Sequence, residues 1–163
     1  MRSIAIAFAA LLLSEPALAQ VKVTAAEIVE YGIYTAEIQT AKRDSKGVLQ
    51  SNLGNIRHAA TTTTVPAKHG VRFGFRYKII GTPDGAAAPI RLVTVFPPAG
   101  LSPPNTAQPI HSSESSEAVK IGQTGYRDYG FDDPWELVPG PWAIQIWSGK
   151  KKLAEQNFTV TAP

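Results

Sequence analysis

The sequence predicts an all-β chain, an antiparallel β-sandwich of about seven to eight short strands. Three observations carry that prediction. Residues 71–79 alternate strictly between apolar or aromatic side chains and Arg, Gly, Arg and Lys. Residues 142–160 read as a second alternating pair of segments joined at Ser148-Gly149. Between such segments stand Pro-Gly, Asp-Gly and Pro-Pro turn signals, and no strong helical pattern interrupts them.

The elements follow in chain order. Met1-Arg2 supplies a positive start, Ile4 to Leu13 is an apolar run, and Ala17-Leu18-Ala19 offers the small residues that a signal peptidase reads. A run of about ten residues is half of what a membrane-spanning helix needs. Residues 1–19 are therefore expected to be a signal peptide cleaved after Ala19, leaving residues 20–163 as one β-sandwich domain in the periplasm or secreted. No later stretch is long enough to span a membrane. The chain has no cysteine, so thiol chemistry and disulfide staples are excluded.

Val21 to Ile38 is rich in β-branched and aromatic residues and reads as one long strand kinked at Gly32. Val48-Leu49 and Ile56 to Val65, with four threonines, read as two more. Within 71–79, Val71, Phe73, Phe75, Tyr77 and Ile79 fall on one side of a pleated strand, and Arg72, Arg76 and Lys78 form a basic outer row. Thr82-Pro83-Asp84-Gly85 turns the chain. Pro89 to Phe96 is a buried strand stopped by Pro97-Pro98, because proline cannot donate to a sheet ladder. Residues 97–117 are dense in Pro and Ser and are expected to be a long loop, with a short strand at Ala118 to Ile121. Trp142 to Trp147 and Leu153 to Val160 form the closing hairpin.

Several blocks resemble a known family. Val65-Pro66-Ala67-Lys68-His69-Gly70-Val71-Arg72-Phe73-Gly74-Phe75 is similar to a block of the bacterial family called domain of unknown function 3859. So are Gly125-Tyr126 and the stretch Phe131-Asp132-Asp133-Pro134-Trp135-Glu136-Leu137-Val138-Pro139-Gly140-Pro141-Trp142, and the closing Leu153 to Val160. The resemblance covers roughly residues 25–161. It implies an immunoglobulin-like sandwich and no assigned activity, since a fold alone does not fix a function.

Charge and motifs narrow the function classes. The formal net charge of +3 is spread along the chain, apart from Lys150-Lys151-Lys152, and argues against nucleic-acid binding. It favours anionic partners such as lipid or glycan phosphates. The three histidines, His58, His69 and His111, lack metal-site spacing, although His58 and His69 could meet across neighbouring strands. There is no G-x-S-x-G elbow. No metal, cofactor or catalytic residue is expected.

The richest segment is 126–136, where Asp128, Asp132, Asp133 and Glu136 sit among Tyr126, Phe131 and Trp135. Its carboxylates could bind calcium or act as the acid/base pair of an envelope-polymer hydrolase. Turn chemistry at Asp132-Asp133-Pro134, with the aromatics as a packing lid on one end of the sandwich, is the better reading. Trp147 is out of phase with Trp142 and Ile146 and faces outward, where it could stack on a sugar or touch a protein. The leading expectation is a non-catalytic binding module with a candidate surface of Tyr126, Asp132, Trp135, Trp147, Arg72, Arg76 and Lys78. An envelope protein or an anionic glycan is the expected partner.

Overall fold

A computed structural model describes residues 20–104 and 106–162. The expected signal peptide over residues 1–19 lies outside them. The described residues form nine strands: β1 (Lys22–Arg43), β2 (Leu49–Ala60), β3 (Thr64–Pro66), β4 (Arg72–Thr82), β5 (Ala87–Val95), β6 (Ser112–Lys120), β7 (Thr124–Gly130), β8 (Gly140–Ser148) and β9 (Lys151–Thr161). One 3-10 turn, Pro134–Glu136, interrupts them. The strands make two facing sheets, ordered β2-β1-β4-β7 and β3-β9-β8-β5-β6.

The alternation in β4 becomes packing. Phe73, Phe75, Tyr77 and Ile79 are buried to within about one percent, and they face Ile90, Leu92, Trp142, Ile144, Ile146 and Phe158 of the other sheet. Phe73 is the hub, with ring centroids of Phe158 at 5.0 Å, Phe131 at 5.4 Å and Trp142 at 5.7 Å. Each such side chain removed from water contributes about 1.5–3 kcal/mol.

Strand β1 is one element of 22 residues, as its composition predicts, and it bends at Gly32. Glycine is required there. Its φ is +139°, and an added Cβ would lie 1.9 Å from the Ala60 carbonyl oxygen. Before the bend β1 pairs with β4, from Lys22–Thr82 to Tyr34–Arg72. Beyond it, residues 35–43 pair only with β2 and form an arm. Val48 packs into the core, and polar contacts hold the arm against the body. Arg76 Nη2 donates to the Ile56 carbonyl at 3.1 Å, Arg43 grips Asp133 at 2.6 and 3.1 Å, and Lys46 Nζ donates to the Ser112 carbonyl at 3.4 Å.

Several expectations need correction. The strands number nine, and one pairing, β3 with β9, is parallel. The loop expected over 97–117 ends at residue 111, because Ser112–Lys120 is a nine-residue strand paired along its whole length with β5. Its serines and glutamates hid it: β6 is an edge strand whose inward positions are Ser113, Ser115 and Glu117, opposite Thr94, Leu92 and Ile90. The arginines of the basic outer row of β4 are not free for a partner either. Strand β4 lies between β1 and β7, and carboxylates from both neighbours meet its arginines.

Candidate functional site

The predicted surface residues do not converge on one patch. Arg72, Arg76 and Tyr126 share the outer face of the first sheet, beneath the arm. Arg72 is 7% exposed, and its Nη1 donates to Asp128 at 2.9 Å while Nη2 lies 3.6 Å from Asp132. Arg76 pairs with Glu30 at 3.2 Å and stands over the Tyr126 ring at 5.9 Å. Tyr126 meets Tyr34 edge-on at 5.0 Å, so it is far from the lid role expected beside Trp135. Lys78 stands opposite Glu27 and Thr124 in the ladder. Phe131 is buried in the core. Trp135 lines a shallow hollow of about 190 Å³ with Arg43, Gly47, Pro103, Pro104 and Asp133.

The carboxylates of 128–136 are engaged in holding the chain. Glu136 is 1% exposed. Its Oε2 accepts the backbone N–H groups of Asp132 and Asp133 at 2.7 and 2.8 Å, and its Oε1 accepts the Tyr129 hydroxyl at 2.8 Å. Burial pushes the Glu136 carboxyl above its ordinary range, with the hydrogen bonds from Tyr129 and the two amides pulling back. Asp128 is likewise pushed up by burial, against the pull of Arg72 and Arg127. Asp133 is taken by Arg43.

Glu136 yields a pH prediction. A carboxyl raised in the native state binds its proton more tightly there than in the unfolded chain. Its stabilising contribution is therefore complete below the ordinary value of 4.5 and falls as pH rises through the native pKa. Glu136→Gln removes that titration. In thermal melts, the margin of the native protein over this variant should be largest near pH 4 and shrink toward pH 7. A margin that grows with pH would reverse the assignment.

The histidines do not meet. His58 stacks edge-on to Tyr34 at 5.1 Å, whereas His69 Nε2 lies 3.0 Å from the Asp132 carbonyl. Among the described residues no group of three His, Cys, Asp or Glu side chains is placed to hold a metal ion.

Trp147 faces outward, as its phase predicts, but it is tied into a chain across the second sheet. Lys152 and Gln145 both donate to Glu155, at 2.6 and 2.7 Å; Trp147 Nε1 donates to Gln145 at 2.9 Å; Arg91 covers the ring at 5.1 Å and pairs with Glu114 at 2.8 Å. Arg91, its cross-strand partner, does the covering.

Two features escaped the sequence. The first is an end of the sandwich where Lys22, Lys120, Lys150, Lys151 and Lys152 gather, all exposed. The start of β1 lies beside the end of β4, and the end of β6 beside the start of β5. The β8–β9 turn joins them, with Lys151 Nζ donating to the Thr24 carbonyl at 2.9 Å. Only Lys150 to Lys152 was visible as a run.

The second is the flank between edge strands β6 and β7. Arg127 shares the inward face of β7 with Tyr129, opposite Phe75, and it points into a gap lined by inward serines of β6. The phase of Tyr129 and Phe131 puts Arg127 on the core side.

The model of a family described as a domain of unknown function, DUF3859, matches residues 22–160. The chain belongs to that family. No curated protein matches it. A solved immunoglobulin-like protein from Pseudomonas aeruginosa is 29% identical, with a TM-score of 0.59 over 90% of this chain and 100% of that one. The DUF3859 chain thus has the immunoglobulin-like all-β sandwich expected of it. Among its described residues no helix is long and apolar enough to cross a membrane.

Proposed function

We propose that the protein is an exported, non-catalytic binding module of the cell envelope that docks its lysine-rich end on a phosphate-bearing anionic surface. The carrying observation is the gathering of five exposed lysines from three separate parts of the fold. Asp84 is the one acidic residue in the turns at that end, and Lys152 alone of the five is paired with a carboxylate, Glu155. Each lysine near an anionic membrane surface is worth about 1 kcal/mol. Cleavage after Ala19 would add the new amino terminus to the same end.

The engagement of Glu136, Asp133, Asp132 and Asp128 with backbone amides and arginines supports a structural role for this segment over a hydrolytic one. A sugar-stacking role for Trp147 has less support, because Arg91 occupies one ring face and Gln145 its N–H.

Sedimentation tests the reading. The purified protein should pellet with vesicles containing phosphatidylglycerol, or with lipopolysaccharide, and stay in solution with phosphatidylcholine alone. The two anionic arms separate a lipid source of phosphate from a glycan one. Combining Lys22→Ser, Lys120→Ser and Lys150→Ser should weaken binding by about 100-fold, and salt should weaken it further. Equal recovery with neutral and anionic material, or no effect of the triple change, would rule this surface out.

A further inference from the structure

The flank between β6 and β7 carries a built polar cleft that the docking end does not touch. Six basic, serine and amide side chains line it: Arg127, Ser51, Gln50, Asn52, Ser115 and Lys42. An open cleft of about 430 Å³ is lined by all six. A smaller, more enclosed cavity of about 60 Å³ adjoins it and shares Gln50, Ser51 and Arg127, with Arg72, Asp128 and Ser113 on its far side. The start of β2, in the arm, closes both over the gap between the sheets.

Arg127 is the informative residue. Arg43, Arg72, Arg76 and Arg91 each have a carboxylate within 3.2 Å. Among the described residues Arg127 and Arg57 have none, and Arg57 is exposed on the arm. Arg127 is half-buried, and its Nε is fully enclosed without a hydrogen-bond partner. Ser51 Oγ, at the same junction, is in the same condition. A buried donor left unpaired costs about 1–3 kcal/mol, and more when charged. The one carboxylate of the cleft, Glu117, already accepts the Tyr77 hydroxyl at 2.8 Å. Asp128 is committed to Arg72.

We propose that this cleft is a binding site for a small polar ligand bearing a carboxylate, which the Arg127 guanidinium grips through its terminal Nη groups while Asn52 and Ser115 meet its hydroxyl or amide groups. The planar guanidinium fork matches a carboxylate in two parallel hydrogen bonds. A volume above about 300 Å³ suits a small ligand, such as a sugar acid or the C-terminal end of a peptide. The enclosed cavity behind has room for about one or two waters, which would hydrate the inner side of the site.

The test follows the Arg127 Nε–H resonance and the backbone amides of 50–52 and 115–117 by NMR during titration. The probes are D-glucuronate, N-acetylglycine and, as the neutral control, D-glucose. Movement of the Arg127 signal and both amide sets with either carboxylate, and not with glucose, is the expected result; which carboxylate acts identifies the source as sugar or peptide. Arg127→Lys should weaken binding at least about ten-fold, since it keeps the charge and loses the fork, while Arg57→Gln should leave it unchanged. No movement with either carboxylate overturns the proposal, as does an equal response to glucose. The wild-type titration decides the matter even where the Arg127 variant folds poorly.

Discussion

Phe73→Ala is expected to lower the melting temperature by roughly ten degrees or more, and at the upper end of its cost to abolish the folded state. Phe73 is fully buried, and its ring touches Tyr129, Phe131, Trp142 and Phe158. Those partners come from β7, the segment after it, β8 and β9, so one side chain joins both sheets. Truncating a core phenylalanine costs about 3–5 kcal/mol, because burial is lost and a cavity remains. Near this chain length each kcal/mol moves the midpoint by about 3 °C. Phe73→Leu keeps most of the volume and should cost less than half as much. Thermal melts followed by circular dichroism read both variants. A shift of less than about 3 °C for the alanine variant, that is about 1 kcal/mol, would mean that the ring cluster is not the centre of the core.

Arg72→Ala is expected to be nearly as damaging for the opposite reason. It leaves Asp128 and Asp132 facing each other in a buried setting without their cation. Breaking a buried ion pair from one side costs about 3–5 kcal/mol. Adding Asp128→Leu to Arg72→Met should restore part of the loss, since an apolar pair does not carry an uncompensated charge. The sign of the pH dependence is also fixed. Arg72 is the largest influence holding the Asp128 carboxyl down against burial. Removing it raises the native pKa further, so the variant should lose least at low pH and progressively more as pH rises through that pKa. Denaturant melts at pH 4 and pH 8 make the comparison. A cost that is small, or larger in acid than at neutral pH, would mean that Arg72 is not what holds these carboxylates.

Periodicity made β4 and the β8–β9 hairpin legible, because both have one face packed and one face polar. It could not say what covers the polar face. Arg72 and Arg76 look like solvated residues in a strand read alone, but β1 and the β7 end supply their carboxylates and β2 adds the Ile56 carbonyl to Arg76. Strand β6 was missed for a related reason. Its inward side chains are serines and a glutamate, so the apolar half of the alternation is absent, and the segment resembles a loop. The dispersed candidate surface has the same origin. Tyr126, Trp135 and Trp147 are each informative as residue types, but outer face, tip and opposite sheet are relations that pairing creates. The lysine end shows this most plainly, since Lys22 and Lys120 lie far from Lys150 in sequence and reach it only through strand order.

The arm has a consequence for motion. Past Gly32 it contributes few enclosed apolar groups, and most of its outward backbone meets water. Segments of that kind open with less free energy than the strands they grow from. Amide protons from residues 36–42 and 50–57 should therefore exchange with deuterium well before those of β4 or β8. Because the arm forms one wall of the Arg127 cleft, a molecule held there would tie the arm down, and the slowing of that exchange would register its arrival.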